Sequence, residues 1–181
     1  MNKSILLVDN GTKYISELEK LLSRWGTVTI DRVEYFYPEN VTADIVVFSG
    51  SSEYNVNSNE KEFEHIYEFI RTTDKTIVGI CFGFQLIAKS YGAEVTRLLR
   101  PENNITTITL TNGRTFTAVE THKWAVKEVP QELEILAESE ECIEVVKHKS
   151  KNQIGFQFHP ERFAELSEGD EIFNSLMSTL I

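Results

Sequence analysis

Thr76-Ile77-Val78-Gly79-Ile80-Cys81-Phe82-Gly83-Phe84-Gln85-Leu86-Ile87-Ala88-Lys89-Ser90-Tyr91 is the stretch on which the fold turns. Thr76 to Ile80 reads as a short buried strand, and Phe84 to Tyr91 as a helix ended by Gly92. Between them Gly79-Ile80-Cys81-Phe82-Gly83 makes a strand-to-helix turn. Such a turn strains the backbone of its central residue, and flanking glycines let strand and helix pack closely. It lifts Cys81 out of the sheet into the crevice at the carboxyl ends of the strands. There the positive helix end favours thiolate over thiol, and the Phe82 N–H faces the place where an oxyanion would form. An arbitrary cysteine is more often a small buried hydrophobe, so the turn alone leaves both readings open.

Upstream, Ile5-Leu6-Leu7-Val8 is a buried strand closed by the turn Asp9-Asn10-Gly11. Residues 14 to 25 carry Ile15, Leu18, Leu21, Leu22 and Trp25 at the spacing of a one-faced helix, and Gly26 stops it. Thr27 to Val33 is a β-branched strand, and Ile45 to Phe48 is a second buried one before Ser49-Gly50-Ser51-Ser52. Residues 59 to 72 place Phe63, Ile66, Phe69 and Ile70 on one helical face. Downstream the pattern changes to short strands: Ile105 to Leu110, Arg114 to Val119, Glu134 to Ala137, Cys142 to Lys147 and Ile154 to Phe158. Asn112-Gly113 marks a hairpin, and a helix from about Glu168 to Leu180 closes the chain. The expected fold is α/β, with a mostly parallel central sheet flanked by helices and an antiparallel excursion in the second half, in one domain over 1–181.

The totals agree with this. The chain has 181 residues, 41% hydrophobic and 25% charged, and a net charge of −10, which gives room for one core and argues against a nucleic-acid partner. Two cysteines imply no disulfide framework. No signal-like or membrane-spanning apolar run occurs, so a cytoplasmic location is expected.

Phe156-Gln157-Phe158-His159-Pro160-Glu161 supplies a partner for the thiol. A strand delivers His159 to its carboxyl end, and Pro160 stops further pairing. Glu161 stands close enough to hold the imidazole in one tautomer. A thiol nucleophile needs a base, and the base an orienting group. His65, His122, His148 and His159 show no ligand spacing with the cysteines, so no metal is expected.

Gly79 to Leu86 and Gly155 to Glu161 resemble the two signature motifs of the class I, or triad, glutamine amidotransferases. The likeness covers nearly the whole chain, from Val8-Asp9-Asn10-Gly11 onward. Phe48-Ser49-Gly50 resembles the family's oxyanion loop, and Thr121-His122-Lys123-Trp124 the loop that holds the glutamine backbone. Within the family, Val126 to Pro130, Glu134 to Ala137 and Lys147-His148-Lys149 are most similar to the separate glutaminase subunit of two-subunit GMP synthetases.

The resemblance implies glutamine hydrolysis through a thioester on Cys81, with His159 as base and Glu161 orienting it. Phe82 and Gly50 would form the oxyanion hole, and Gln85, Thr121 and Trp124 would bind substrate. Ammonia would pass to a separate synthetase subunit for GMP synthesis from XMP. This chain would carry no cofactor, while ATP and Mg would belong to the partner. Three departures stand out: Ser51-Ser52 replaces the family's usual Gly-Pro, Trp124 stands at a usual aspartate, and Arg162-Phe163-Ala164-Glu165 follows the triad. A glutaminase for another synthetase, a stand-alone γ-glutamyl hydrolase and a decayed regulatory subunit are the alternative readings.

Overall fold

The computed structural model describes residues 2–180, and along them nine strands join in one mixed sheet. In chain order the elements are β1 (Lys3–Asp9), α1 (Ile15–Leu22), β2 (Gly26–Arg32), β3 (Ile45–Phe48), α2 (Glu64–Thr72), β4 (Thr76–Ile80) and α3 (Phe82–Ser90). Then follow β5 (Val95–Leu110), β6 (Thr115–Val126), β7 (Leu133–Glu138), β8 (Ile143–His148), β9 (Gln153–Phe156) and α4 (Gly169–Met177). The strand order is β2-β1-β3-β4-β9-β8-β7-β5-β6. Pairing is parallel from β2 through β9 and antiparallel from β9 to β6. The α/β architecture with its antiparallel second half is thus as expected. No helix is long and apolar enough to cross a membrane among the described residues.

Side-chain alternation sorts the core into two layers. Ile5, Leu7, Ile45, Val47, Val78 and Ile80 join Leu18 and Leu22 of α1 and Ile172, Phe173 and Met177 of α4. Val8, Val46, Phe48 and Ile77 face the other way, onto Ile66 and Ile70 of α2 and Phe84 and Ile87 of α3. Strands β3 and β4 and residues 5–8 of β1 are covered on both faces, which is why they read as short apolar runs, whereas the edge strand β2 is largely exposed.

Several boundaries move, each for a local reason. α1 ends at Leu22, and Trp25 lies beyond it, donating its indole N–H to Asn174 Oδ1 at 3.0 Å. The helix expected from residue 59 begins at Glu64. Asn55 and Asn59 turn their side chains onto local backbone and onto Glu62, competing with the helical bonds. The largest correction concerns Thr121 to Trp124, expected as a loop. They lie within β6, with Thr121 opposite Asn103, His122 opposite Glu102 and Trp124 opposite Arg97. The partner strand β5 bulges between Arg97 and Glu102. Glu120 and His122 face inward although polar, so the apolar alternation of a strand is hidden there.

Candidate active site

Cys81 sits between β4 and α3 with φ 52° and ψ −101°. This left-handed φ is one a non-glycine residue adopts only under constraint, at a cost of roughly 1–3 kcal/mol. The constraint is visible. Its N–H donates to the Phe156 carbonyl of β9 at 2.7 Å, and its carbonyl accepts from the Gln85 N–H of α3 at 3.1 Å. The tight crossing needs two glycines: a Cβ on Gly79 would lie 2.3 Å from the Gly83 carbonyl oxygen, and one on Gly83 would lie 2.1 Å from that of Phe48.

His159 follows the end of β9, its N–H donating to the Val119 carbonyl of β6 at 2.9 Å. Its Nδ1 is 2.7 Å from Glu161 Oε1, and the Glu161 side chain is 1% exposed. Cys81 lies close enough to the ring to act on its charge. Burial alone lowers the pKa of His159, but Glu161 on one side and Cys81 on the other more than reverse this and hold it well above 6.5. The arrangement therefore favours the imidazolium form of His159, set between Glu161 and Cys81.

Gly50 borders both groups. A Cβ there would lie 3.2 Å from His159 Cε1 and 3.6 Å from Cys81 Cβ. The Ser49 carbonyl on the same peptide is fixed by the Gly83 N–H at 3.2 Å and Asn10 Nδ2 at 2.8 Å. Because the peptide is planar and trans, those two bonds aim the Gly50 N–H the opposite way. Neither that N–H nor the Phe82 N–H has a hydrogen-bond acceptor among the described residues. Ser51 is not in the left-handed region. Its hydroxyl accepts from the Glu53 and Tyr54 N–H groups at 3.0 and 2.8 Å, so the loop turns by a serine-capped route that needs no second glycine.

A cleft of about 660 Å³ opens over the sulfur, lined by Cys81, Phe82, Gln85, Thr121, His122 and Trp124 among others. Gln85 Nε2 donates to the Trp124 carbonyl at 3.0 Å and to Gln157 Oε1 at 3.1 Å. Both amide hydrogens are thereby committed to the protein, and only the Gln85 carbonyl oxygen remains for a ligand. Arg162 is engaged within the chain. It donates to Thr121 Oγ1, and its guanidinium lies 4.2 Å from the Tyr14 ring centre. Tyr14 meets the edge of the His159 ring, with centroids 6.2 Å apart.

Gln157 has a place here that its sequence context did not assign. Its Nε2 donates to Cys81 Sγ at 3.6 Å, completing a chain of amides from Gln85 to the sulfur. The clue was its spacing two residues before His159, which puts both on one side of an extended segment. Sequence spacing also hid a buried group of His122, Cys142 and Glu144, whose ligand atoms all lie within 4.8 Å of one another.

The model of the family "Glutamine amidotransferase class-I" matches residues 6–179. The chain is 31% identical to a subunit of the glutamine-hydrolysing GMP synthase of Pyrococcus furiosus, over 94% of this chain and 95% of that protein. It is equally 31% identical to the corresponding GMP synthase subunit of Methanocaldococcus jannaschii, over 94% of each. A solved structure from Thermoplasma acidophilum, assigned to the same GMP synthase subunit, superposes with a TM-score of 0.84 at 25% identity, covering 98% of this chain and 94% of that one. A thiol on a strained turn, a buried imidazole beside it, a carboxylate behind that, and a match running almost from end to end lead to one assignment: the chain belongs to the class I glutamine amidotransferases.

Proposed function

We propose that the chain hydrolyses glutamine to glutamate and ammonia through a γ-glutamyl thioester on Cys81. The ammonia passes to a separate ATP-dependent synthetase subunit that converts XMP to GMP. The observation that carries the chemistry is the contiguous Cys81, His159 and Glu161 set, with two unengaged N–H groups beside the sulfur. The acceptor rests on the similarity to proteins named as subunits of glutamine-hydrolysing GMP synthase.

In this reading the Cys81 thiolate attacks the glutamine carboxamide carbon. The oxyanion that develops is met by the N–H groups of Phe82 and Gly50. The His159 imidazolium gives its proton to the departing amine, ammonia leaves, and the thioester remains. His159, now neutral, takes a proton from water, which attacks the thioester and releases glutamate. Glu161 holds the ring by its Nδ1–H throughout. The Gln85 carbonyl oxygen accepts from the substrate's α-ammonium, and Thr121 and Trp124 wall that end of the cleft.

Two exposed apolar side chains are of the kind that partners cover. Leu99 stands fully out on the β5 bulge, and Leu166 is 63% exposed after the triad. The deciding experiment measures glutamine hydrolysis by the chain alone and with the ATP-dependent GMP synthetase subunit of the same cell, with XMP and ATP present. Slow hydrolysis that the partner accelerates is expected. Leu99→Asp and Leu166→Asp should reduce the acceleration and spare the basal rate. Fast hydrolysis alone, with no binding or stimulation by that subunit, would instead establish a stand-alone hydrolase.

A further inference from the structure

Behind the wall of the cleft, four chemically capable side chains meet that the glutaminase reaction leaves without a task. Glu120 and His122 alternate onto one face of β6, and Cys142 and Glu144 bear the same alternation at the start of β8. The antiparallel half curls so that these faces meet. Glu120 and Glu144 are 1% exposed and His122 and Cys142 6%. Cys142 Sγ lies 3.3 Å from Glu144 Oε1, and Glu120 Oε2 lies 2.9 Å from His122 Nε2.

The hydrogen bonds do not close. His122 Nδ1 is 3.0 Å from the Trp124 carbonyl, which can only accept, so Nδ1 carries the hydrogen and Nε2 presents a lone pair. The 2.9 Å approach of Nε2 to Glu120 Oε2 is then a hydrogen bond only if that carboxyl carries a proton, and no donor from elsewhere among the described residues reaches either oxygen of Glu120 or Oε2 of Glu144. The charged groups acting most strongly on the two carboxyls are each other, His122, His159 and Glu102, with no lysine or arginine among them. Buried acceptors converging on a lone pair are unfavourable unless something positive stands between them.

We propose that His122 Nε2, Cys142 Sγ and a Glu144 carboxylate oxygen bind a zinc-class divalent cation, with Glu120 in the fourth position. Imidazole nitrogen, thiolate sulfur and carboxylate oxygen form a set that zinc accepts, whereas the sulfur and imidazole do not suit magnesium or calcium. Tetrahedral zinc bonds of about 2.0–2.3 Å place ligand atoms roughly 3.3–3.8 Å apart, a small side-chain adjustment from the present separations. The Trp124 carbonyl holding Nδ1–H is the support that orients a metal-binding histidine. Binding displaces the proton of the Cys142 thiol and any shared by the carboxyls, releasing them to solvent. His122 lines the cleft, which gives the ion a way in. An ion there would clasp β6 to β8 and so steady Thr121 and Trp124.

The test is titration of chelator-treated protein with Co(II), after Cys81 has been blocked with a diazoketone analogue of glutamine. One equivalent should produce the visible bands of a tetrahedral ion and a near-ultraviolet sulfur-to-cobalt band. Zinc should displace the cobalt and raise the melting temperature in a concentration-dependent way. Cys142→Ser should lose the sulfur band. Glu144→Gln should keep it while weakening affinity by more than the about 10–100-fold that loss of an outer partner costs. The blocked wild-type protein decides the matter even where a variant does not fold. No sulfur band, with a melting temperature indifferent to zinc, would show carboxyls sharing protons instead. A band that appears only with Cys81 unblocked would place the metal on the catalytic thiol, and either result overturns the proposal.

Discussion

Gln157 Nε2 donates to the Cys81 sulfur at 3.6 Å, the one side-chain hydrogen bond the sulfur accepts among the described residues. A hydrogen bond to a charged acceptor contributes about 1.5–3 kcal/mol, so Gln157→Leu should lower kcat/KM by about 10–100-fold. The rate of iodoacetamide alkylation at Cys81, followed against pH, should move its midpoint upward; an unmoved midpoint would remove Gln157 from the site. Cys81→Ser should abolish hydrolysis, and the diazoketone analogue should modify Cys81 and leave Cys142 untouched, as peptide mass mapping would read. His159 gives a pH dependence with a defined sign. Its folded pKa is raised above 6.5. The stability this contributes is full below 6.5 and is lost as pH rises through the folded value. Urea unfolding should therefore show His159→Gln losing more stability, relative to wild type, in mild acid than in alkali. The grouping of Cys81, His159 and Glu161 was legible because Cys81 and His159 each follow a short, strongly patterned strand and Glu161 comes two residues after His159. Glu120 and Glu144 were not, because nothing in an isolated carboxylate's neighbours along the chain marks it as buried.

Helix α3 shows how far one contact decides an element's placement. Gly83 approaches the Phe48 carbonyl so closely that a methyl group cannot be seated without moving α3 off β3. Gly83→Ala should cost at least the ~1–3 kcal/mol typical of overpacking and lower activity with it, since Cys81 opens the same helix. Urea midpoints and turnover measured on the same preparation would check the linkage, and full activity in a destabilised variant would break it. Strands β3 and β4 were legible to the residue, being apolar nearly throughout and buried on both faces, and β1 over residues 5–8, its exposed Lys3 and Ser4 carrying no strand signal. The long ribbon of β5 and β6 was legible only near its Asn112-Gly113 turn. Further out, β5 is largely exposed and carries Pro101, while β6 buries Glu120 and His122, so neither strand keeps the expected alternation.

At the scale of the molecule, β9 is the last strand of the chain, yet it lies between β4 and β8, joining the parallel half of the sheet to the antiparallel half. Cys81 is anchored to it through the Phe156 carbonyl, and His159 hangs from its end. Both halves of the sheet precede β9 in sequence, and without it they would be separated by a slot edged by the unpaired strands β4 and β8. Closing that slot pairs residues far apart in sequence, a slow kind of step that leaves sheet edges exposed meanwhile. A chain lacking β9 and the residues after it holds the Cys81 thiol without His159. Seating β9 therefore joins the two half-sheets and brings Cys81 and His159 together in one event, so neither the closed sheet nor the assembled cleft exists without the other.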